Sequence, residues 1–382
     1  MNTRQFYYTH PYDTELEAEV LTCTPAKGGF LVTFDHNLFY PTGGGQPHDL
    51  GTAGDAHVLD VNEKGSDIFV LLDAPLPPGE KVLCKLDWPR RFMLMKQHSG
   101  EHLVSGVVHR RFGYDNVGFH MGHDAITIDF NGPLTARDLK EIEAEVNEAV
   151  WKDIPAKICC PSEEELEAIP YRSKKELEGE VRIVEFPGVD ICACCGLHVR
   201  RTGEIGLVKL LSVTGFHEGV RVELLCGGRA LDCLSTAWEE NHRVSAVLSA
   251  KPEETGAAAE RMAEDLKQTQ YHCYMLEARL FDRIAEENAG KGNVLLFEEG
   301  LNPDGVRRLC DALLHKCGGT AAVFSRRDEG FLYALGAEEG DLRPLVRELN
   351  GALHGRGGGK PGFAQGSVQA SQKEISAFFK NR

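Results

Sequence analysis

Between residues 1 and 86, apolar and polar side chains alternate in short runs such as GFLVTF and DIFVLLD, separated by Gly, Pro and Asp. A period of two bounded by turn residues predicts strands, here of a small β-rich domain that carries one glycine-rich piece, FYPTGGGQP at 39–47. From Asp87 the period lengthens. In WPRRFMLMKQHSGEHLVSGVVHRRFG, the residues Met93, Leu94, His98, His102, Leu103 and Val107 recur close to i, i+4, and Gly113 supplies a stop, so a helix is predicted. GHDAITIDF reads as a strand and LTARDLKEIEAEVNEAVWKD as an amphipathic helix with a solvated acidic face. VRIVEFPG, DICACCGLHVRRTGEIGLVKLL and RVELLCGG then return to β character, which extends this second domain over 87–230.

Beyond about Leu231 the chain is strongly helical. Ala259, Met262, Leu266, Thr269, Cys273, Leu276 and Leu280 are spaced by alternating threes and fours, a heptad seam, and Lys251-Pro252 separates them from a preceding helix. The expectation is a helical hairpin linker over 231–289, with the seam closed inside the chain; a homodimer through this helical region or through the C-terminal region is the alternative. The remainder, 290–382, alternates strands (NVLLF, TAAVFS, GFLYAL) with helices at 303–317 and 341–352 and ends in GRGGGKPGFAQGS and a closing helix, a separate α/β domain. The fold class is therefore α+β.

Composition narrows the class. A chain of 382 residues, 42% hydrophobic and 26% charged, is long enough for two or three globular cores. No apolar run approaches the ~20 residues of a membrane span, and the early charge in MNTRQFYYTHPYDTELEAEV does not read as a secretory signal, so a cytoplasmic location is expected. Twelve cysteines with one dense cluster, Cys192, Cys194 and Cys195, suggest metal or thiol chemistry in a reducing compartment. A net charge of −16 argues against indiscriminate nucleic-acid binding but leaves room for a local basic groove. Its candidates are Arg90, Arg91 and Lys96, then Arg110 and Arg111, then Arg200 and Arg201, although solvated surface charge is the simpler account of any one pair.

The chemistry-bearing residues come in two distant pairs. His98 and His102, four apart on a predicted helix, project from one face and can reach one ion. Cys194 and His198 add a C-x3-H pair in a glycine-containing turn, and together the four make the nitrogen and sulfur set that tetrahedral zinc prefers. Spacing leaves Cys195 as a competitor for the thiolate position and Cys192 as a more distant one. Four protein ligands usually mark a closed structural site, whereas catalytic zinc keeps a position open.

HSGEH in a helix, CCGLHVRRTGEIG some ninety residues on, FYPTGGGQP before both and a terminal GGGKPGFAQGS together resemble the long form of the AlaX family of alanyl-tRNA editing proteins. The resemblance covers essentially the whole chain in the expected order. It implies a free-standing hydrolase of the ester in seryl-tRNA(Ala), and of glycyl-tRNA(Ala) as a further candidate. It also implies a β-barrel-like N-terminal part, a zinc-containing editing domain and a C-terminal tRNA-binding domain joined by helices. The family motif C-G-G-T-H puts its thiolate on Cys194. Departures from it are Cys195 and Leu197, which stand where the family has glycine and threonine, and Asn37, which replaces a frequent threonine two positions before FYP.

Such an enzyme answers a physical need. A synthetase pocket sized for alanine cannot exclude glycine and rejects one added hydroxyl only modestly, so a second, hydrolytic site is required. A polar editing pocket works in the opposite sense, since groups placed to bond a serine hydroxyl are left unpaired by alanine, at a penalty on the order of 1–3 kcal/mol. Gln46, Glu101 and Asn37 are the expected catalytic group. Gly43, Gly44 and Gly45 are expected to let backbone N–H groups approach a carboxyl oxygen or the terminal ribose, the bland alternative being a tight turn. His120 and Arg221 are placed beside the substrate, His120 and His123 as polar residues of the cleft, and Lys360 against RNA phosphate. Glu101 also completes H-x-x-E-H, the signature of inverted zinc peptidases, in which the glutamate is general base; that class has no use for the C-x3-H pair. A zinc-stabilised RNA-binding module without turnover is the remaining alternative.

Overall fold

The computed structural model describes residues 5–173, 181–327 and 329–380. The chain divides into two compact units, Met1–Glu240 and Asn241–Arg382. Four segments were expected. The change of period at Asp87 is a change of element and not a separation, because Val20, Tyr40 and Leu72 share one buried cluster with Leu103, Val107 and Val199.

In the first unit a short helix α1 (Phe6–Thr9) precedes strands β1 (Glu15–Ala26), β2 (Gly29–Phe34), β3 (Gly51–Ala53), β4 (Ala56–Lys64), β5 (Asp67–Leu72) and β6 (Lys81–Leu86). They close into a barrel in the order β1-β2-β5-β4-β3-β6. In β6 the alternation is complete, with Val82, Cys84 and Leu86 inside and Lys81, Leu83 and Lys85 outside. The segment between β2 and β3 carries FYPTGGGQP, with Leu38, Phe39 and Tyr40 buried.

Helix α2 (Trp88–Phe112) starts where Asp87 accepts a hydrogen bond from the Arg90 N–H and ends at Gly113 in the left-handed region, φ 73°. Every residue from Gln97 to Val108 is buried, so over that stretch the helix has no solvent face. Around it stand β7 (Asn116–Met121), β8 (Ile126–Phe130), α3 (Ala136–Trp151), β9 (Lys157–Cys159), α4 (Glu163–Glu167), β10 (Ile183–Phe186), β11 (Asp190–Ala193), β12 (Val208–Phe216) and β13 (Gly219–Cys226). The strands form two sheets, β12-β13-β8-β7 and β11-β10-β9. The first begins with β7, in a stretch the hydrophobic pattern does not mark as a strand. Helix α3 opens with a reciprocal cap between Thr135 and Asp138.

A buried ion pair ties the barrel to α2. Arg91 and Asp49 are both fully buried, and the guanidinium reaches the carboxylate through Nη2 and, at 3.0 Å, through Nε. The same guanidinium donates to the carbonyls of Leu38 and Pro11, and the same carboxylate accepts from the Tyr40 N–H at 2.6 Å. Arg91 is thus a core strut and not part of a basic groove.

Helix α5 (Gly228–Leu248) runs across the boundary between the units. The second unit continues with α6 (Thr255–Glu287), β14 (Gly292–Glu299), α7 (Pro303–Cys317), β15 (Gly318–Arg327), β16 (Gly330–Ala337), α8 (Arg343–Ala352), β17 (Arg356–Lys360), β18 (Phe363–Val368) and α9 (Gln372–Lys380). Asn241 binds the Pro252 carbonyl and Thr255 binds Asn241, both at 2.8 Å, which fixes the corner before α6. The heptad seam is not closed within the chain: Met262, Leu266, Leu276 and Leu280 are all half exposed or more. Only Ala258, Phe281 and Ala285 of α6 are buried, the last two in a core shared with α7.

The sheet of this unit, in the order β14-β15-β16-β18-β17, is mixed, since only β14 and β15 run parallel. GRGGGKPGFAQGS, which carries Lys360, is the hairpin of β17 and β18. Its glycines allow close packing: a Cβ on Gly357 would lie 2.3 Å from the Tyr333 hydroxyl. No helix among the described residues is long and apolar enough to cross a membrane.

Replacing Asp49 by alanine strands the Arg91 charge in the core and is expected to cost about 3–5 kcal/mol, read as a lower denaturant midpoint. Adding Arg91→Met should recover much of that loss; no recovery would show that the pair does not act as a unit.

Candidate metal centre

Helix α2 presents His98 and His102 one turn apart, and the loop after β11 brings Cys194 and His198 up to them. One ligand atom from each of the four lies within 4.8 Å of all the others, so the cluster could hold a metal ion. The Cys194 Sγ is 3.4 Å from Nε2 of His98 and 3.4 Å from Nε2 of His198. Tetrahedral zinc, with sulfur at about 2.3 Å and nitrogen at about 2.0–2.1 Å, spaces such atoms about 3.5 Å apart. The three imidazoles are buried, and Cys194 as a residue is partly exposed.

What turns each Nε2 inward is the partner on the other ring nitrogen. His102 Nδ1 lies 3.0 Å from the Asp190 carboxylate, which only accepts, so Nδ1 carries the proton. His98 Nδ1 lies 3.0 Å from Oε1 of Gln46. That oxygen is identified by the Leu197 N–H, which can only donate and does so at 3.0 Å. His198 Nδ1 meets the Ser99 hydroxyl at 3.3 Å, and Ser99 also accepts from the Val199 N–H. Arg172 in turn holds Asp190 at 2.8 Å.

The charges follow this arrangement. Burial opposes ionisation of the Cys194 thiol, but the charges of His98 and His198 and hydrogen bonds from His102 and His198 outweigh it and hold its pKa well below the ordinary value. Burial together with the charges of His102 and His98 keeps His198 well below the usual imidazole range. At His102 burial is outweighed by Asp190 and Cys194, and the pKa rises to about 9, so a metal entering there must replace a proton. Burial likewise opposes ionisation of Asp190, and His102 and Arg172 overcome it, holding the carboxyl below its ordinary value.

The glycine-rich loop is the clamp over this centre. Gly43 and Gln46 exchange backbone hydrogen bonds at 2.9 and 3.0 Å, which makes the loop a tight turn and uses the Gly43 N–H. Gly45 has φ +80°, and a Cβ there would sit 2.4 Å from the Phe119 ring, which packs against His98 with centroids 5.0 Å apart. Gly196 touches His98 so closely that a Cβ would lie 2.0 Å from the ring. Gly44 and Gly45 face solvent, while Gln46 is fully buried and its Nε2 has no partner. A buried amide donor left over beside two histidines is a group that awaits an acceptor.

Glu101 is buried next to the centre, not exposed on the helix. Its Oε1 accepts from Ser105, at 2.7 Å, and from Asn116, and its Oε2 lies 3.9 Å from Nε2 of His102. Asn37 is buried, but both ends of its amide are bonded to the Phe39 backbone, so it braces the start of the loop. Of the rival thiols, Cys192 groups with His102 and Asp190, and Cys195 joins neither group of candidate ligands among the described residues.

His120 is exposed on β7, because strand alternation sends its neighbour Phe119 inward instead. His123 is fully exposed and paired with Asp124. Arg221 is held by both oxygens of Asp129 and stacks on Phe216 at 3.8 Å. Lys360 ends β17 in the second unit, exposed. The pattern of the sequence does not announce Asp190, Ser99, Phe119 or Arg182. Asp190 and Ser99 stand inside or beside the motifs, and a strand reading of 116–121 would have singled out Phe119. Arg182 donates to the carbonyls of Cys194 and Gly196, both at 2.8 Å, and so shapes the ligand loop.

The family described as "Threonyl and Alanyl tRNA synthetase second additional domain" matches residues 181–222, the stretch that contains Cys194 and His198, and the DHHA1 domain matches 290–381. The alanyl-tRNA editing protein Aarsd1-B of Xenopus laevis is 29% identical, over 94% of this chain and 92% of its own. The alanyl-tRNA editing protein AlaX-L of Pyrococcus horikoshii is 29% identical, over 97% and 95%. An alanine–tRNA ligase of Halorubrum lacusprofundi is 30% identical over 95% of this chain and 42% of its own. Among solved structures, the C-Ala domain of the Aquifex aeolicus alanyl-tRNA synthetase is matched at 23% identity and a TM-score of 0.22, over 25% of this chain and 90% of that one. Along nearly all of its length and of theirs, the chain is similar to alanyl-tRNA editing proteins, and its C-terminal stretch matches the DHHA1 domain.

Proposed function

We propose that the chain is a trans-editing aminoacyl-tRNA deacylase that hydrolyses the ester of seryl-tRNA(Ala), with glycyl-tRNA(Ala) as a second substrate, in a site built on zinc held by His98, His102, Cys194 and His198. The observation that carries this reading is the set of three imidazoles turned by buried partners toward one thiolate, beside the unpaired Gln46 amide. One sulfur and three nitrogens at these separations suit zinc. When bound, the ion supplies positive charge next to the reacting ester.

The chain's own residues do the rest. Gln46 holds His98 with its oxygen and offers Nε2 to an oxygen of the aminoacyl group. Phe119 and the side-chain-free Gly44 and Gly45 leave a narrow approach for the terminal ribose. Glu101 is the base: it takes a proton from the attacking water, whose oxygen joins the acyl carbon, and the proton passes to the ribose oxygen as the ester C–O bond breaks. Asn37 acts only through the loop it braces. In the second unit, Lys360 offers its exposed ammonium to tRNA phosphate. The open seam on α6, about 30 Å long at 1.5 Å per residue, carries heptad spacing that fits a second copy of the chain.

Incubation with seryl-tRNA(Ala) and alanyl-tRNA(Ala) tests the reading. Selective release of serine is expected; stable binding without release would favour a non-catalytic module, and cleavage of peptides alone a peptidase. Cys194→Ala should lose both bound zinc and serine release, while Cys195→Ala keeps both; loss of zinc from Cys195→Ala alone would overturn the ligand assignment. Asp190→Asn and Gln46→Leu should each lower activity or zinc affinity about 10–100-fold, the usual effect of losing a partner that orients a ligand. Sedimentation should find a dimer that Leu266→Lys with Leu276→Lys converts to monomer, with zinc content unchanged.

A further inference from the structure

The basic residues proposed for a local groove are sorted by the structure. Arg91 is neutralised by Asp49, Arg110 by Glu145, Arg111 by Glu141 and Arg201 by Asp153. Arg90 turns to the His48 carbonyl. Lys96 and Arg200 have no carboxylate within ion-pair distance among the described residues, and both lie over aromatic rings instead. Lys96 Nζ is 4.3 Å above Phe92, and the Arg200 guanidinium is 3.9 Å from the Tyr12 ring.

Between those two cations the rings are continuous. Phe92 stacks on Trp88 with centroids 5.0 Å apart and planes 14° from parallel, and Trp88 meets Tyr12 at 5.3 Å. Trp88, Phe92 and Lys96 are spaced four apart on α2 and so share one helix face. All three rings are only partly buried. Each end of the ladder abuts the metal centre in sequence, Lys96 two residues before His98 and Arg200 two after His198. One carboxylate, Glu204, lies beneath it, bonded to the Tyr12 hydroxyl and the Arg200 backbone N–H.

We infer that this cation-capped aromatic ladder, Arg200–Tyr12–Trp88–Phe92–Lys96, is the surface that receives the RNA strand leading into the centre. In a chain of net charge −16, two cations without an ion-pair partner among the described residues, set on a platform of rings, match what a nucleic-acid strand offers. Phosphates meet the ammonium and guanidinium, and a base or ribose face meets ring or guanidinium plane. The inference rests on the editing reading only for the identity of the RNA.

Binding of uncharged tRNA(Ala) to the full chain, measured from low to moderate salt, tests it. Lys96→Ala with Arg200→Ala should flatten the slope of log K against log salt by about two, one per lost phosphate contact. Arg110→Ala with Arg201→Ala, whose cations are already paired, should leave the slope as in the wild type. Lys96→Arg with Arg200→Lys should restore most of it, and zinc content of each variant reports an intact fold. An unchanged slope in the first variant, an equal loss in the second, or wild-type protein without salt-dependent binding overturns the proposal. Because the probe carries no amino acid, a wild type that binds it in this way yet releases no serine from seryl-tRNA(Ala) would sink the hydrolase and leave the surface standing.

Discussion

A single oxygen atom joins the two halves of the centre. Gln46 Oε1 accepts from the Leu197 N–H in the ligand loop and from His98 Nδ1 on α2, so the glycine-rich loop, the helix and the C-x3-H turn meet at one buried acceptor. A buried carbonyl oxygen with two donors is satisfied, and any displacement of the loop would leave both donors unpaired in the core. That constraint fixes the tautomer of His98, and with it the direction of the lone pair that faces Cys194. The Arg91–Asp49 strut and the Tyr40 hydroxyl, which reaches the Gly43 and Cys195 carbonyls, hold the same loop from its other side.

Helix α2 shows what this costs in amphipathicity. A helix buried all round would ordinarily be apolar, yet its buried stretch includes Gln97, His98, Ser99, Glu101, His102 and Ser105. Each is bonded to another element or along the helix; Gln97, for example, exchanges hydrogen bonds with the Cys226 backbone at 2.7 and 3.1 Å. The polar content is confined to positions with a partner opposite, on the glycine-rich loop, the ligand loop, β7, β11 or β13.

Much of this could be read from the chain. The two-residue period of GFLVTF and DIFVLLD announced strands, and the cap and stop around α2 fell at Asp87 and Gly113 because capping chemistry is local. The four clustered side chains were legible because a metal's donor preferences leave a spacing signature. Phe119 was not, because NVGFHM is a short run whose burial does not follow its alternation, and its neighbour His120 draws attention to the wrong face. Nor could sequence tell that Asn37 is spent on the Phe39 backbone, or that the seam of α6 stays open, since both depend on what lies opposite in space. The glycine-rich terminal stretch turns on a related point. Glycine marks close approach as readily as flexibility, and here the close approach is of one strand to Tyr333.

Gly196 and Gly45 lead to a different kind of conclusion. Neither contributes a functional group, yet a single added carbon at either would enter the ring of His98 or of Phe119. The tolerance of this region to mutation is therefore inverted. Two residues that look dispensable for want of a side chain, one buried and one exposed, are the ones least able to drift. A centre of this type is guarded by vacant volume as much as by its donors.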